Sequence, residues 1–296
     1  MKSRFFSRWD SWKRDAIASA ETLALQSGEG RLPIRLFEIA SLRKVRDVIF
    51  RPLLLDGCLG VRSDGFVIFV LADKRRTDEL KKAWRGGGTL PPRTRFTIAH
   101  EIAHTFFYDI ETYRPRTDID LTVPQTMNSL EIACNEVAAH MLLPDQLLLN
   151  ELPKLNVLDP AALRRFARRA GVSTSMLTVR LKQSVDWSGK LGAILCVQQE
   201  AEGASVISKA MHYALRPHLG TDREETALTE LIPDRSFVMN GGKKHEVIYP
   251  LSCRIGNQRA TQELVWRCEK VEPKLDSQYF VTVKRKGDLQ LCKGVA

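Results

Sequence analysis

His100-Glu101-Ile102-Ala103-His104 is the stretch of this chain whose residue types and spacing can do chemistry. On a helix, positions i and i+4 lie one above the other on a single face. Two imidazoles placed in that way can hold one divalent cation. Glu101 lies about 100° further round the helix, near enough to reach a water beside the cation without ligating in the same way. Two ligands plus a general base is the chemistry of zinc-assisted hydrolysis: zinc lowers the pKa of its water towards ~7 and the carboxylate accepts the proton. The bland alternative is a chance match of five residues. Against it, the surrounding helix is apolar on most sides, with Phe96, Ile98, Ala99, Ile102, Ala103, Phe106 and Phe107. Two imidazoles and a carboxylate in such a helix would be costly unless paired or metal-bound.

A catalytic zinc takes three protein ligands and keeps one position open, so the third must come from elsewhere. In the helical stretch 130–143, Glu131 and Asn135 are i and i+4 and share a face, beside an apolar stripe of Ile132, Ala139 and Leu143. We assign Glu131 as the third ligand. Asn135 can accept the Nδ1–H of a ligand histidine and so fix its tautomer. Glu136 and His140 are the rivals, their ordinary roles being a partner for a nearby base and a half-buried polar residue. Cys134 reads as a small core residue.

The elements that must position these groups follow from local pattern. Residues 11–27 are helical in composition and closed by Gly28, and Leu32-Pro33-Ile34 opens a second helical stretch running to about Arg46. Gly65–Leu71, rich in β-branched and aromatic residues, reads as a strand, either a core support for the metal helix or a sheet edge to which an extended substrate adds. A charged segment, 73–85, leads into the loop signal of Gly86-Gly87-Gly88 and Pro91-Pro92. The metal helix runs from about Thr94 to Tyr108. Residues 109–126 are polar and irregular, and the 130–143 helix stops at Pro144. Arg95, Tyr108 and Tyr113 are candidates for stabilising an oxyanion.

Composition bounds the rest. The 296 residues are 44% hydrophobic and 27% charged, the values of an ordinary globular chain of about two domains, which excludes collagen-like and broadly disordered classes. Lys plus Arg exceed Asp plus Glu by ten, favouring an anionic partner. The cysteines, 58, 134, 196, 253, 268 and 292, form no Cys-x-x-Cys pair, which argues against a thiolate zinc site or a redox motif. The first fifteen residues contain no apolar leader core. The longest apolar run, Phe66–Ala72, is far short of the ~20 residues of a membrane helix. The expectation is a soluble, cytoplasmic protein with reduced thiols.

After Pro153 the composition turns basic. Residues 153–190 hold Lys154, Arg164, Arg165, Arg168, Arg169, Arg180, Lys182 and Lys190 against Asp159 and Asp186. Leu163, Phe166 and Ala167 make an apolar face. Gly171-Val172-Ser173 makes a turn with Ser173 as N-cap, and Thr174 to Lys182 makes a second short helix with Leu177 inward. That spacing fits a helix-turn-helix, in which Arg164, Arg165, Arg168, Arg169 and Arg180 would meet nucleic acid. A helical hairpin with solvated arginines is the plainer alternative. Beyond Gly189 the chain is strand-like at 191–197, 245–251, 263–268 and 278–285, with a helical piece around 207–216.

Two motifs together resemble a known family. Arg95-Phe96-Thr97-Ile98-Ala99-His100-Glu101-Ile102-Ala103-His104 is similar to the R-F-T-x-A-H-E-x-x-H segment of ImmA/IrrE-type metallopeptidases. Glu131 to Pro144 is similar to their second helix, E-x-x-A/C-N-x-x-A-A-x-L-L-x-P. The likeness covers about residues 28–150. It departs at Ala103, where the family often has Gly, and at His140-Met141, where it commonly has an acidic residue and then Leu. The resemblance implies zinc ligands at His100, His104 and Glu131 and a general base at Glu101. It implies an enzyme whose substrate is a phage-type helix-turn-helix repressor, cleaved to relieve repression after stress or DNA damage. In longer relatives a GAF-like sensing module follows. The expected fold is thus α+β: a mainly helical zincin-like peptidase domain with a small sheet (1–150), a helix-turn-helix-like hairpin (151–187) and a mixed α/β C-terminal domain (188–296). The rival reading is a DNA- or protein-binding regulator built on a peptidase scaffold.

Overall fold

The computed structural model describes residues 2–86, 88–116, 124–155 and 159–184, together with the strands beyond them. It is α+β, and the helices outweigh a three-stranded sheet through the first half of the chain. Two compact units divide it, one comprising 1–148 with 169–172, the other 149–168 with 173–296.

In the first unit the order is α1 (Lys2–Ser27), α2 (Leu36–Leu42), β1 (Val45–Arg51), β2 (Gly57–Arg62), β3 (Gly65–Leu71), α3 (Thr77–Arg85), α4 (Pro92–His104) and α5 (Pro124–Leu142). A 3-10 turn over Thr105–Phe107 continues α4. Helix α6 (Asp145–Glu151) starts there and crosses the unit boundary. Pro92 suits the first turn of α4, where its missing N–H is not needed. The helix buries Ile98, Ala99, Ile102 and Ala103 completely, packing against α5 on one side and against β2 and β3 on another.

Sequence and structure part at several of these elements. The helical stretch foreseen from 32 to about 46 is instead a short α2, starting at Leu36, followed by strand β1. The charges of Val45-Arg-Asp-Val-Ile-Phe-Arg51 hide that strand's pattern of buried Val45, Val48 and Phe50. Helix α5 begins at Pro124, six residues before Leu130, with proline again opening the first turn. Ile132 is half exposed rather than part of the α5 apolar stripe.

Strand β3 occupies its foreseen span but is not an edge. The sheet order is β1-β3-β2, with β1 parallel and β2 antiparallel to it. Phe66, Val67 and Ile68 are wholly buried. A seven-residue strand with almost no polar residue needs cover on both faces, and this is the central position. The outer strand beside the metal helix is β2. Leu71 N–H bonds to Asp56 O, so in this antiparallel register Asp56 and Cys58 turn their backbone groups towards β3, while Gly57, Leu59 and Val61 turn theirs outward.

Helices α7 (Pro160–Ala170) and α8 (Thr174–Ser184) are joined by a tight turn. Gly171, at φ +65 in the left-handed region, makes that turn, and Ser173 Oγ accepts Met176 N–H as an N-cap. Leu163, Phe166, Ala167 and Leu177 are buried. Arg165, Arg168 and Arg169 are exposed and Arg164 is half-buried. Arg180 is 0% exposed, which removes it from any nucleic-acid-facing surface. In the second unit, strands β4 (Gly192–Gln199), β5 (Ser205–Ile207), β6 (His212–Tyr213), β7 (His245–Ile255), β8 (Gln258–Glu272) and β9 (Leu275–Arg285) form an antiparallel sheet in the order β5-β4-β9-β8-β7, with β6 also on β4. The helical piece foreseen around 207–216 is overturned at its described positions, which lie in β5 and β6. The rest of that segment lies outside the described residues.

Candidate metal centre

Helices α4 and α5 bring together four of the residues singled out from sequence. His100 Nε2 lies 3.0 Å from Glu131 Oε2 and 3.1 Å from His104 Nε2, and His104 Nε2 lies 3.5 Å from Glu131 Oε1. Two ligands on one tetrahedral zinc, each ~2.0–2.1 Å from it, stand about 3.3 Å apart. The donor set of two imidazoles and one carboxylate therefore fits a single such cation in both chemistry and spacing. Asn135 Oδ1 is 2.9 Å from His100 Nδ1. With that nitrogen donating to the amide, Nε2 carries the free lone pair on the side of Glu131 and His104.

Electrostatics sharpen the roles. Burial, and then the nearby His100, hold His104 well below its ordinary value, at about 4, although Glu131 opposes this. The ring is neutral at pH 7, as a ligand must be. Glu101 is 5% exposed. Burial, and then Glu131, push its carboxyl up to about 7, against a backbone hydrogen bond from Leu59. A carboxyl with that value can both take and give a proton near neutrality. Burial drives the Cys134 thiol upward, and Glu131 and Glu101 add to this, so it stays protonated beside the site.

These groups line an open cleft of about 620 Å³, walled also by Asp56–Leu59, Phe96, Tyr108 and Met127. Of the three oxyanion candidates, Tyr108 lies in the cleft. Arg95 is buried away from it, donating to Gly171 O at 3.0 Å and Ile34 O at 2.8 Å. Tyr113 packs edge-on against Phe66. The rival ligands are also accounted for. Glu136 pairs with Lys13 at 3.0 Å, and His140 Nδ1 meets Glu21 Oε1 at 2.7 Å.

Sequence reasoning passed over Gly57 and Leu59. A Cβ on Gly57 would stand 2.6 Å from Thr97 Cγ2 and 2.9 Å from Glu101 Oε1. A glycine inside a strand is a signal of close approach, but without β2 in view it pointed at nothing.

Residues 89–182 match the IrrE N-terminal-like domain family, a peptidase family. The match runs from α4 to α8, so the likeness drawn from the two motifs holds, and this segment is of metallopeptidase type. None of the curated proteins matches the chain. Among solved structures, a Mycobacterium tuberculosis transcriptional regulator is 15% identical with a TM-score of 0.49, over 99% of this chain and 84% of that one. Among the described residues no helix is long and apolar enough to cross a membrane.

Proposed function

From a chain that carries an ImmA/IrrE-type peptidase domain, we propose a zinc-dependent endopeptidase that cleaves a helix-turn-helix transcriptional repressor and so switches on a response to stress or DNA damage. The carrying observation is the meeting of His100, His104 and Glu131 ligand atoms within 3.5 Å, beside the buried Glu101, in an open cleft. Residues 1–150 are the peptidase domain of this reading, 151–187 a helix-turn-helix-like segment and 188–296 a sensing domain, and the protein works in the cytoplasm.

His100, His104 and Glu131 would hold the zinc, which when bound polarises the scissile carbonyl and acidifies the attacking water. Asn135 holds the His100 ring in its ligating tautomer. Glu101 takes the water's proton and later gives it to the leaving amine. Tyr108 stands in the same cleft as a donor for the developing oxyanion. An extended substrate segment pairs with the outward-facing backbone of β2, whose residues Gly57–Leu59 wall the cleft.

The test is to incubate the zinc-loaded chain with the purified repressor encoded nearest its own gene. A discrete fragment, absent with chelator and with Glu101→Gln, is the expected result. An intact repressor under all conditions overturns the proposal. The second reading, a nucleic-acid-binding regulator, rests on exposed Arg165, Arg168 and Arg169 along α7. It calls for salt-dependent DNA binding that charge reversal at these three positions abolishes.

A further inference from the structure

Strand β2 comes unusually close to the active helix. The absent side chain of Gly57 is what permits this, because an added Cβ would meet Thr97 Cγ2 at 2.6 Å, Glu101 Oε1 at 2.9 Å and Glu101 Cγ at 3.2 Å. Two residues on, Leu59 N–H points away from β3 and donates to the Glu101 carboxylate. Just before the strand, Arg93 of the first turn of α4 grips both carboxylate oxygens of Asp56, at 2.8 and 2.9 Å. The three contacts lie in sequence along one edge and all join β2 to α4.

We propose that β2 is the positioning element for the base: Gly57 lets the strand lie against α4, and the Leu59 amide then fixes which way the Glu101 carboxylate points. This rests on the reading of Glu101 as general base. Gly57 and Leu59 are positioning residues, because they touch the base and not the reacting atoms. A carboxylate on three rotatable bonds has many orientations in an open cleft. Removing freedom in advance is how a supporting layer raises the rate of the group it supports. One edge donor of β2 is thereby committed to the enzyme's own side chain rather than to an incoming strand.

The test uses the full zinc-loaded chain with Gly57→Ala, with Gly57→Ala combined with Thr97→Ser, and with Glu101→Ala, and reads two quantities. The first is amide exchange at Leu59, which needs no substrate. Its N–H is turned away from the sheet, so its protection depends on Glu101. Exchange is expected to speed up by roughly tenfold or more in Glu101→Ala and in both Gly57 variants. The second is cleavage of a quenched-fluorescent random-peptide pool. Gly57→Ala is expected to keep its zinc while turnover drops by about tenfold or more. Thr97→Ser removes the methyl that the methyl added at position 57 strikes, but keeps the hydroxyl that donates to Arg93 O, so the double variant relieves packing without freeing the base. It is expected to regain stability and not turnover. Wild-type turnover with Leu59 left unprotected in either Gly57 variant overturns the proposal, as does unchanged Leu59 exchange in Glu101→Ala. If Glu101→Ala cleaves the pool as well as wild type, the general-base reading fails while the exchange result still reports on the contact.

Discussion

Two clusters in the first unit each bring a histidine within reach of acidic groups, and they are built to opposite ends. Glu21, His140 and Asp145 could formally hold a cation as well as His100, His104 and Glu131 could. In the former, Glu21 Oε1 is already engaged twice, by His140 Nδ1 at 2.7 Å and by Asp145 N–H at 2.9 Å. That carboxylate ties α1, α5 and the start of α6 together, and the oxygen that faces His140 is spent on the tie. In the latter, two Nε2 atoms and a carboxylate face one another across about 3 Å, and Asn135 Oδ1 stands 2.9 Å from the Nδ1 of His100. The lesson is that proximity of ligating residues is a poor sign of a metal site, whereas lone pairs turned to one point and supported from outside are a good one.

The largest expected contrast is in metal content. His104→Ala should bring bound zinc close to zero, measured by plasma emission after dialysis, while His140→Ala should leave it unchanged. Zinc loss from the His140 variant would erase the distinction between the clusters. Next, Glu101→Gln should keep full zinc and lose about 10²–10⁴ in turnover, which separates the base from the ligands it sits among. Asn135→Ala should weaken zinc binding by about 10–100-fold, the usual effect of losing a ligand's outer partner, read by competition with a chromophoric chelator.

His140→Ala should cost about 1.5–3 kcal/mol in urea unfolding, as expected for a part-buried hydrogen bond to a charged group. The smallest effect concerns pH. Burial, and then Glu131, raise the folded Glu101 value from 4.5 to about 7, so the folded metal-free chain binds more protons than the unfolded one between those values. Its stability therefore falls as pH rises through that window. His104, with its value lowered from 6.5 to about 4 chiefly by burial, acts in the opposite sense over its own window. Comparing wild type with Glu101→Gln isolates the carboxyl: wild type should lose stability relative to the variant from pH 4.5 to about 7, and a flat difference would contradict the raised value.

The metal helix was legible because its information is local. Five residues state the ligand spacing, although Pro91-Pro92 reads as loop and the helix in fact opens at Pro92. Strand β3 was legible as a strand for the same reason, through an unbroken apolar run. Its place in the sheet was not, because centrality depends on β1 and β2, and neither announces itself. Val45–Arg51 is broken by charges, and Gly57–Arg62 contains two glycines. Arginines misled for a related reason. Arg95 reads from sequence as a candidate within the site and Arg180 as a charge facing nucleic acid. Yet Arg95 serves two buried backbone carbonyls and Arg180 is fully enclosed. A side chain with five donors can be an interior tie, and only the fold says which arginine is one.

The most direct test is X-ray absorption at the zinc edge on the loaded full-length chain. The expected spectrum contains two imidazole nitrogens at about 2.0–2.1 Å and a carboxylate oxygen at about 2.0–2.2 Å, and the same shell is expected in His140→Ala. A sulfur at about 2.3 Å, or a shell altered by His140→Ala, would contradict the ligand set.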